Sequence, residues 1–245
     1  MLRPPASRLR AGTIAALLLA LTPLSSAVRA PRSRTSVASG GVVELPLSRR
    51  AAARERAKAD VRRRLAERGS GTYIGEMLAE RDSALARWPD RKGRPLTVWI
   101  QPSAQIPDWD SGYVDGVQSA VREWDDLALP VRFAFITDSA RADVHISFID
   151  HFDEPISGRT KWARDDNWWI TDADIVLAVH HHGGTVLDDD AMRAMALHEL
   201  GHLLGLDHTD DATSIMAPKV RVRSLSSADR STVRLLYTLP PGGVR

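Results

Sequence analysis

The feature that most constrains this chain is the run His198-Glu199-Leu200-Gly201-His202-Leu203-Leu204-Gly205-Leu206-Asp207-His208. On an α-helix, residues four apart project from one face, one turn apart. His198 and His202 can therefore turn their ring nitrogens toward a single ion at about 2.0–2.1 Å. Glu199 sits one step round the helix, beside that ion and angled toward its open side. Gly205 can adopt a positive φ, end the helix and turn the chain. His208, three residues on, can then swing back as a third donor. Three neutral protein ligands plus a water describe an open, catalytic zinc site rather than a closed structural one. The bland reading is a buried helix with solvent-facing histidines. It requires five defined positions to coincide by chance, on the order of one start point in three million.

The pattern H-E-x-x-H-x-x-G-x-x-H resembles that of the metzincin zinc endopeptidases, and within them the matrixin-like branch. Ser214-Ile215-Met216-Ala217-Pro218 is similar to the methionine turn of that family. Leu225-Ser226-Ser227-Ala228-Asp229, leading to Leu235-Leu236-Tyr237, is similar to the matrixin C-terminal helix. The resemblance covers roughly residues 94–240. Pro218 stands two places after Met216, where other metzincin branches use a tyrosine as an extra zinc ligand, so the chain sides with matrixins.

The resemblance implies an α+β, metzincin-like zincin fold. Its sheet is twisted, five-stranded and mostly parallel, with an antiparallel edge strand bordering the cleft, a zinc-site helix and a C-terminal helix. It implies one catalytic Zn²⁺ on His198, His202 and His208, and no other cofactor. Glu199 would be the catalytic base that activates a water on the zinc, and Met216 a packed apolar floor beneath the ligands. The partner would be a peptide or protein substrate. Matrixins also hold structural zinc and calcium ions. Their ligand pattern is not cleanly reproduced by His180-His181-His182 with His145 and His151, so an additional structural Zn²⁺ or Ca²⁺ stands against an exposed cluster or cleft lining. Asp207 reads as a support for the local turn.

The N-terminal third is of a different kind. Arg3, Arg8 and Arg10 precede a short apolar run from Ala11 to Leu21, broken at Pro23 and followed by small residues. That is a signal peptide over 1–30, with cleavage after about Ala27 or Ala30. The run is too short to span a bilayer, which needs about 20 residues. No stable membrane anchor follows from it, and the expected location is exported, extracellular or periplasmic.

Residues 31–88 read as a basic helical N-terminal extension or propeptide, and residues 89–245 as the matrixin-like catalytic domain. Residues 31–85 carry twelve basic and seven acidic side chains, whereas 86–245 carry seventeen and twenty-four. The overall pI of about 9.2 therefore hides an acidic domain behind a basic arm. The arm lacks interleaved aromatics, which argues against nucleic acid. Resting on the acidic domain is the more economical role. Matrixin propeptides block zinc through a cysteine. This chain has none, which also excludes disulfides and thiolate zinc sites. Whether 31–88 is removed, inhibitory or structural stays open, as does the oligomeric state.

Periodicity supplies the remaining elements. A solvated helix is predicted over 48–68 and an amphipathic one over about 72–87. Strands are predicted at 95–100, 131–135, 144–149, 158–162 and 175–179, with the edge strand over about 157–163. A helix from Asp110 to Leu127 carries Val114, Val117, Val121 and Trp124 on one face. Asp188-Asp189-Asp190 caps the zinc helix or, on a sharper reading, binds a cation. Leu197, Leu200 and Leu204 anchor that helix in the core. Trp168-Trp169 is assigned to the core rather than to the cleft wall.

Overall fold

The computed structural model describes residues 47–243, apart from 82 and 92. The signal-peptide segment 1–30 and the lead-in up to residue 46 lie outside the described residues. Five strands form the main sheet: β2 (Leu96–Ile100), β3 (Phe133–Phe135), β4 (Val144–Ile149), β5 (Gly158–Arg164) and β6 (Ile170–Ala178). Their spatial order is β3-β2-β4-β6-β5. All neighbouring pairs are parallel except β5 and β6, which are antiparallel with β5 at the edge. This is the α+β, metzincin-like arrangement that the motif implied. Strands β2 and β4 alternate buried and half-buried positions, as strands packed hard on one face do. Strand β6 is longer than its apolar run 175–179. It takes in Asp172 and Asp174, which point outward while Ala173 and Ile175 point into the core.

Two helices cover the sheet. Helix α3 (Gly112–Asp125) buries Val117, Val121 and Trp124, and Trp124 Nε1 donates to the Leu197 carbonyl at 3.0 Å. Helix α4 (Asp189–Leu203) packs against α3, β5 and β6. Asp188 caps it, accepting from the Ala191 amide at 2.7 Å, so capping satisfies the reading of that acidic run. Leu197, Leu200, Leu203 and Leu204 are fully buried. At roughly 1.5–3 kcal/mol per buried side chain, they fix the rotation of α4 and so decide where its histidines point. Trp168 and Trp169 are only half-buried: guanidinium groups cover them, Arg164 over Trp168 at 3.7 Å and Arg87 over Trp169 at 4.7 Å.

All the described residues fall in one compact unit. Helix α1 (Leu47–Arg68) is exposed along most of its length. It meets the rest through Val61, Leu65 and a bond from Arg64 to the Thr238 carbonyl at 3.1 Å. The second N-terminal helix, expected over 72–87, is shorter. Helix α2 ends at Glu80 (Ile74–Glu80), and Ser83 takes φ 63°. A left-handed residue of this kind stops a helix. The chain continues as β1 (Ala84–Leu85), paired antiparallel with β7 (Gly242–Gly243). Tyr73, Met77, Leu85 and Trp88 are part of the same hydrophobic core as the sheet and α4. Trp88 Nε1 donates to the Leu203 carbonyl at 2.9 Å, at the end of the histidine-bearing helix. Helix α5 (Ser227–Leu236) closes the fold and starts with a capping box between Ser226 and Asp229.

Candidate metal centre

Helix α4 delivers His198 and His202 one turn apart, and the way it ends delivers His208. The Leu206 amide donates to the Gly201 carbonyl and the Gly205 amide to the His202 carbonyl, both at 3.0 Å. That pair of bonds is a Schellman C-cap, with Gly205 at φ 97° as its left-handed residue. A side chain at Gly205 would also collide with the Ala86 carbonyl, so glycine is required twice over.

The three imidazoles meet. Their Nε2 atoms lie 3.2, 3.3 and 3.3 Å apart. Among the described residues, His198, His202 and His208 are the one group of three or more such donors close enough for a metal ion. A tetrahedral ion with bonds of about 2.0–2.1 Å needs ligand atoms about 3.3–3.4 Å apart, so the triangle fits Zn²⁺. The outer nitrogens agree. His198 Nδ1 bonds the Ile215 carbonyl at 2.7 Å and His202 Nδ1 the Leu206 carbonyl at 3.1 Å. A carbonyl can only accept, so Nδ1 carries the proton and the Nε2 lone pair faces the centre. Burial, the largest cause, lowers His198 to about 4 and His202 to about 3. Both rings are then neutral at pH 7, the form that binds metal.

Glu199 is 3% exposed. Thr160 Oγ1 on β5 donates to its Oε2 at 2.6 Å and lies 2.9 Å from its main-chain oxygen. Burial raises the Glu199 carboxyl to about 7, against the lowering pull of Thr160 and Arg159. A Cβ at Gly158 would fall 2.8 and 2.9 Å from Glu199 Cγ and Cδ and closer still to Oε1. The edge strand thus touches the carboxylate at two residues. The sequence did not single out either contact, although a glycine within a strand is a general signal of close approach. Below the triad, Met216 is fully buried and its Sδ packs directly against Gly201.

The centre opens on a cleft of about 930 Å³, walled by β5 on one side and by Pro218, Lys219 and Val220 on the other. The other histidines stay apart from the triad. His180 lies between Asp150 (2.6 Å) and Asp108 (3.2 Å), whose carboxylates raise its pKa. His181 bonds Ser157 Oγ at 2.7 Å on the rim of the cleft. His182 bonds the Phe152 carbonyl at 3.2 Å. His145 pairs with Asp174, and His151 with Asp150.

A mostly parallel sheet with an antiparallel edge, a helix presenting two histidines, a glycine turn to a third and a buried methionine beneath them define a metzincin-like zincin. Residues 149–238 match the Matrixin family model. Metalloendoproteinase 5-MMP of Arabidopsis thaliana is 30% identical over 182 residues, 64% of this chain and 47% of that protein. Metalloendoproteinase 1 of Glycine max is 30% identical over 167 residues, 60% of this chain and 51% of that protein. Matrix metalloproteinase-16 of Homo sapiens is 35% identical over 98 residues, 38% of this chain and 14% of that protein. The chain spans about half the length of these relatives or less, and within that span it is similar to the matrixins.

Proposed function

We propose that the protein is an exported zinc-dependent endopeptidase, with His198, His202 and His208 as the ligands of one Zn²⁺ and Glu199 as the general base. One observation carries the reading: a buried carboxylate stands beside a three-histidine triangle whose remaining side opens on a cleft. A site that only stabilised the fold would need no base there. When bound, Zn²⁺ supplies Lewis acidity, polarising a carbonyl and lowering the pKa of water toward about 7. Glu199 takes the proton from the attacking water and hands it to the leaving amine. Thr160 holds one oxygen of that carboxylate and leaves the other for the reaction. The rival is a secreted, non-catalytic zinc module. Digestion of a denatured protein with and without chelator separates the two; absence of any chelator-sensitive cleavage would favour the rival.

The edge strand supports an extended peptide as the occupant of the cleft. The Ala178 amide donates to the Ser157 carbonyl at 2.9 Å, and Gly158 lies opposite Leu177. Antiparallel pairing alternates, so Ser157, Arg159 and Lys161 spend their main-chain groups on β6. Gly158, Thr160 and Trp162 present theirs to the cleft, where a substrate strand can add. Proline at Thr160 removes one such donor without breaking the sheet. Thr160→Pro is therefore expected to impair peptide turnover several-fold more than Thr160→Val, which loses the hydroxyl but keeps the amide. Equal rates for the two folded variants would sink this placement. Gly158→Ala tests the other contact. Its methyl displaces Glu199, and a misplacement of about 1 Å can cost on the order of 10²-fold. Zinc content should stay parental while hydrolysis falls; an unchanged rate would show that the carboxylate needs no such fit.

Export rests on residues 1–30, and secreted protein should begin near residue 28 or 31 by mass spectrometry. Among the described residues no helix is long and apolar enough to cross a membrane. The substrate is a peptide or protein, and a peptide-library digest would read out its cleavage preference.

A further inference from the structure

One side chain far from the motif touches the loop that carries its third histidine. Arg81 follows α2, in the segment that precedes the main sheet and outside the span matched by the Matrixin family. Its guanidinium makes three bonds to consecutive residues of that loop. Nη1 donates to the Gly205 carbonyl at 3.1 Å, Nη2 to the Leu206 carbonyl at 3.2 Å, and Nε pairs with Asp207 Oδ2 at 2.5 Å. Its plane lies over Trp162 of β5, 5.4 Å from the ring centroid. The Arg81 and Asp207 side chains are only 16% and 17% exposed, so solvent screens the pair little.

Two of the acceptors lead directly to the metal centre. The Leu206 carbonyl also accepts from His202 Nδ1 at 3.1 Å. Asp207 Oδ1 accepts from the His208 main-chain amide at 3.0 Å. One guanidinium thus orients the carbonyl that sets the His202 ring and the carboxylate that sets the His208 backbone. A planar fork with five donors can hold three acceptors at once; a lysine ammonium on the same stem cannot match that geometry. Nearby, the Ala86 carbonyl lies against Gly205, and Trp88 Nε1 bonds the Leu203 carbonyl. The whole turn from α4 to His208 is therefore backed by residues 81–88.

We propose that Arg81 is a positioning residue for the metal centre, holding the Gly205–Asp207 loop so that His202 and His208 are preset for zinc. The proposal rests on the reading of the triad as a zinc site. It carries a consequence for processing: a form that begins beyond Arg81 should hold zinc about 10–100-fold more weakly than one that keeps it.

The test is zinc affinity of the full chain, measured by competition with a chelator of known affinity, together with thermal unfolding of the metal-free protein. The comparison set is the parent, Arg81→Ala, Arg81→Lys, Asp207→Asn and Arg91→Ala. Arg91 pairs with Asp143 at 3.2 Å and is equally shielded, at 16% exposure, but it bonds neither the loop nor the triad. Loss of a group that orients a ligand typically weakens metal binding about 10–100-fold. Arg81→Ala should show that loss, with Arg81→Lys and Asp207→Asn between it and the parent. Arg91→Ala should lower the unfolding temperature yet bind zinc like the parent. A loss below threefold in Arg81→Ala, or an equal loss in Arg91→Ala, overturns the proposal. Should Arg81→Ala fail to fold, Arg81→Lys and Asp207→Asn decide on the same threshold. A parent that binds no zinc would instead overturn the zinc reading itself, which keeps the two failures distinct. A processed form that begins beyond Arg81 and binds zinc within threefold of the parent would also refute the proposal.

Discussion

Glu199→Gln is expected to leave zinc content and unfolding temperature close to parental while peptide turnover falls by about 10²–10⁴-fold, the loss typical of a general acid or base. The substitution keeps the size of a side chain that is 3% exposed, so it opens no cavity. The amide oxygen can still accept from Thr160 Oγ1, which lies 2.6 Å from the carboxylate. Only the basic oxygen is lost. The two carbonyl bonds to His198 and His202 and the Nε2 triangle do not involve Glu199. His202→Ala must behave differently, because it removes a donor from that triangle; zinc and turnover should go together. Metal analysis and peptide hydrolysis on both variants side by side give the answer. Parental turnover in Glu199→Gln would refute the proposed chemistry even if zinc is bound as described.

How much of this was legible in the residues depends on which groups carry the interaction. The zinc helix was legible because its apolar side chains repeat at helical spacing: Leu197, Leu200 and Leu204 are each fully buried. The turn to His208 was legible through Gly205, whose φ of 97° is the one a helix-ending glycine supplies. Edge strand β5 lay where the short run after Gly158 placed it. The long amphipathic helix over 72–87 did not form, since apolar spacing does not reveal that Ser83 turns left-handed or that β1 will find β7 at the other end of the chain. The first half of β6 was missed because Asp172 and Asp174 are poor strand residues; pairing on both sides, with β4 and β5, overrode propensity there. Arg81 was invisible for a different reason. Two of its acceptors are main-chain carbonyls, 124 and 125 residues away, and every residue has a carbonyl. Side-chain pattern finds histidine clusters and cores, but it does not find what a loop's backbone is tied to.

The same logic makes Asp229 a residue whose loss should cost much stability. It begins as an N3 carboxylate in a capping box, worth about 1 kcal/mol on a surface helix. Here it is fully buried and serves four donors. Oδ1 accepts from Tyr73 Oη at 3.3 Å and from Ser214 Oγ; Oδ2 accepts from the Ile215 amide at 3.1 Å and the Ser226 amide at 2.7 Å. Burial, then the Asp229 charge, keeps the Tyr73 phenol protonated far above its usual range, so it remains a donor. Asp229→Ala leaves all four without that acceptor, three of them in buried bonds. One orphaned buried donor costs about 1–3 kcal/mol, and breaking a buried charged network about 3–5 kcal/mol. The loss should therefore be about 3–5 kcal/mol, a drop in unfolding temperature on the order of 10 °C for a domain of this size. Asp229→Asn should cost less than alanine, because its amide oxygen can face the Ile215 and Ser226 amides while its NH₂ group meets the Tyr73 and Ser214 hydroxyls, which can also accept. The damage should reach the metal centre as well: Asp229 holds the amide of Ile215, and the carbonyl of the same residue, one peptide unit on, accepts from the His198 ring at 2.7 Å. Thermal unfolding with chelator isolates the first effect, and the added stabilisation on zinc loading reports the second. An unfolding temperature within about 2 °C of the parent for Asp229→Ala would mean that the four donors find other partners, and that the methionine turn does not depend on this carboxylate.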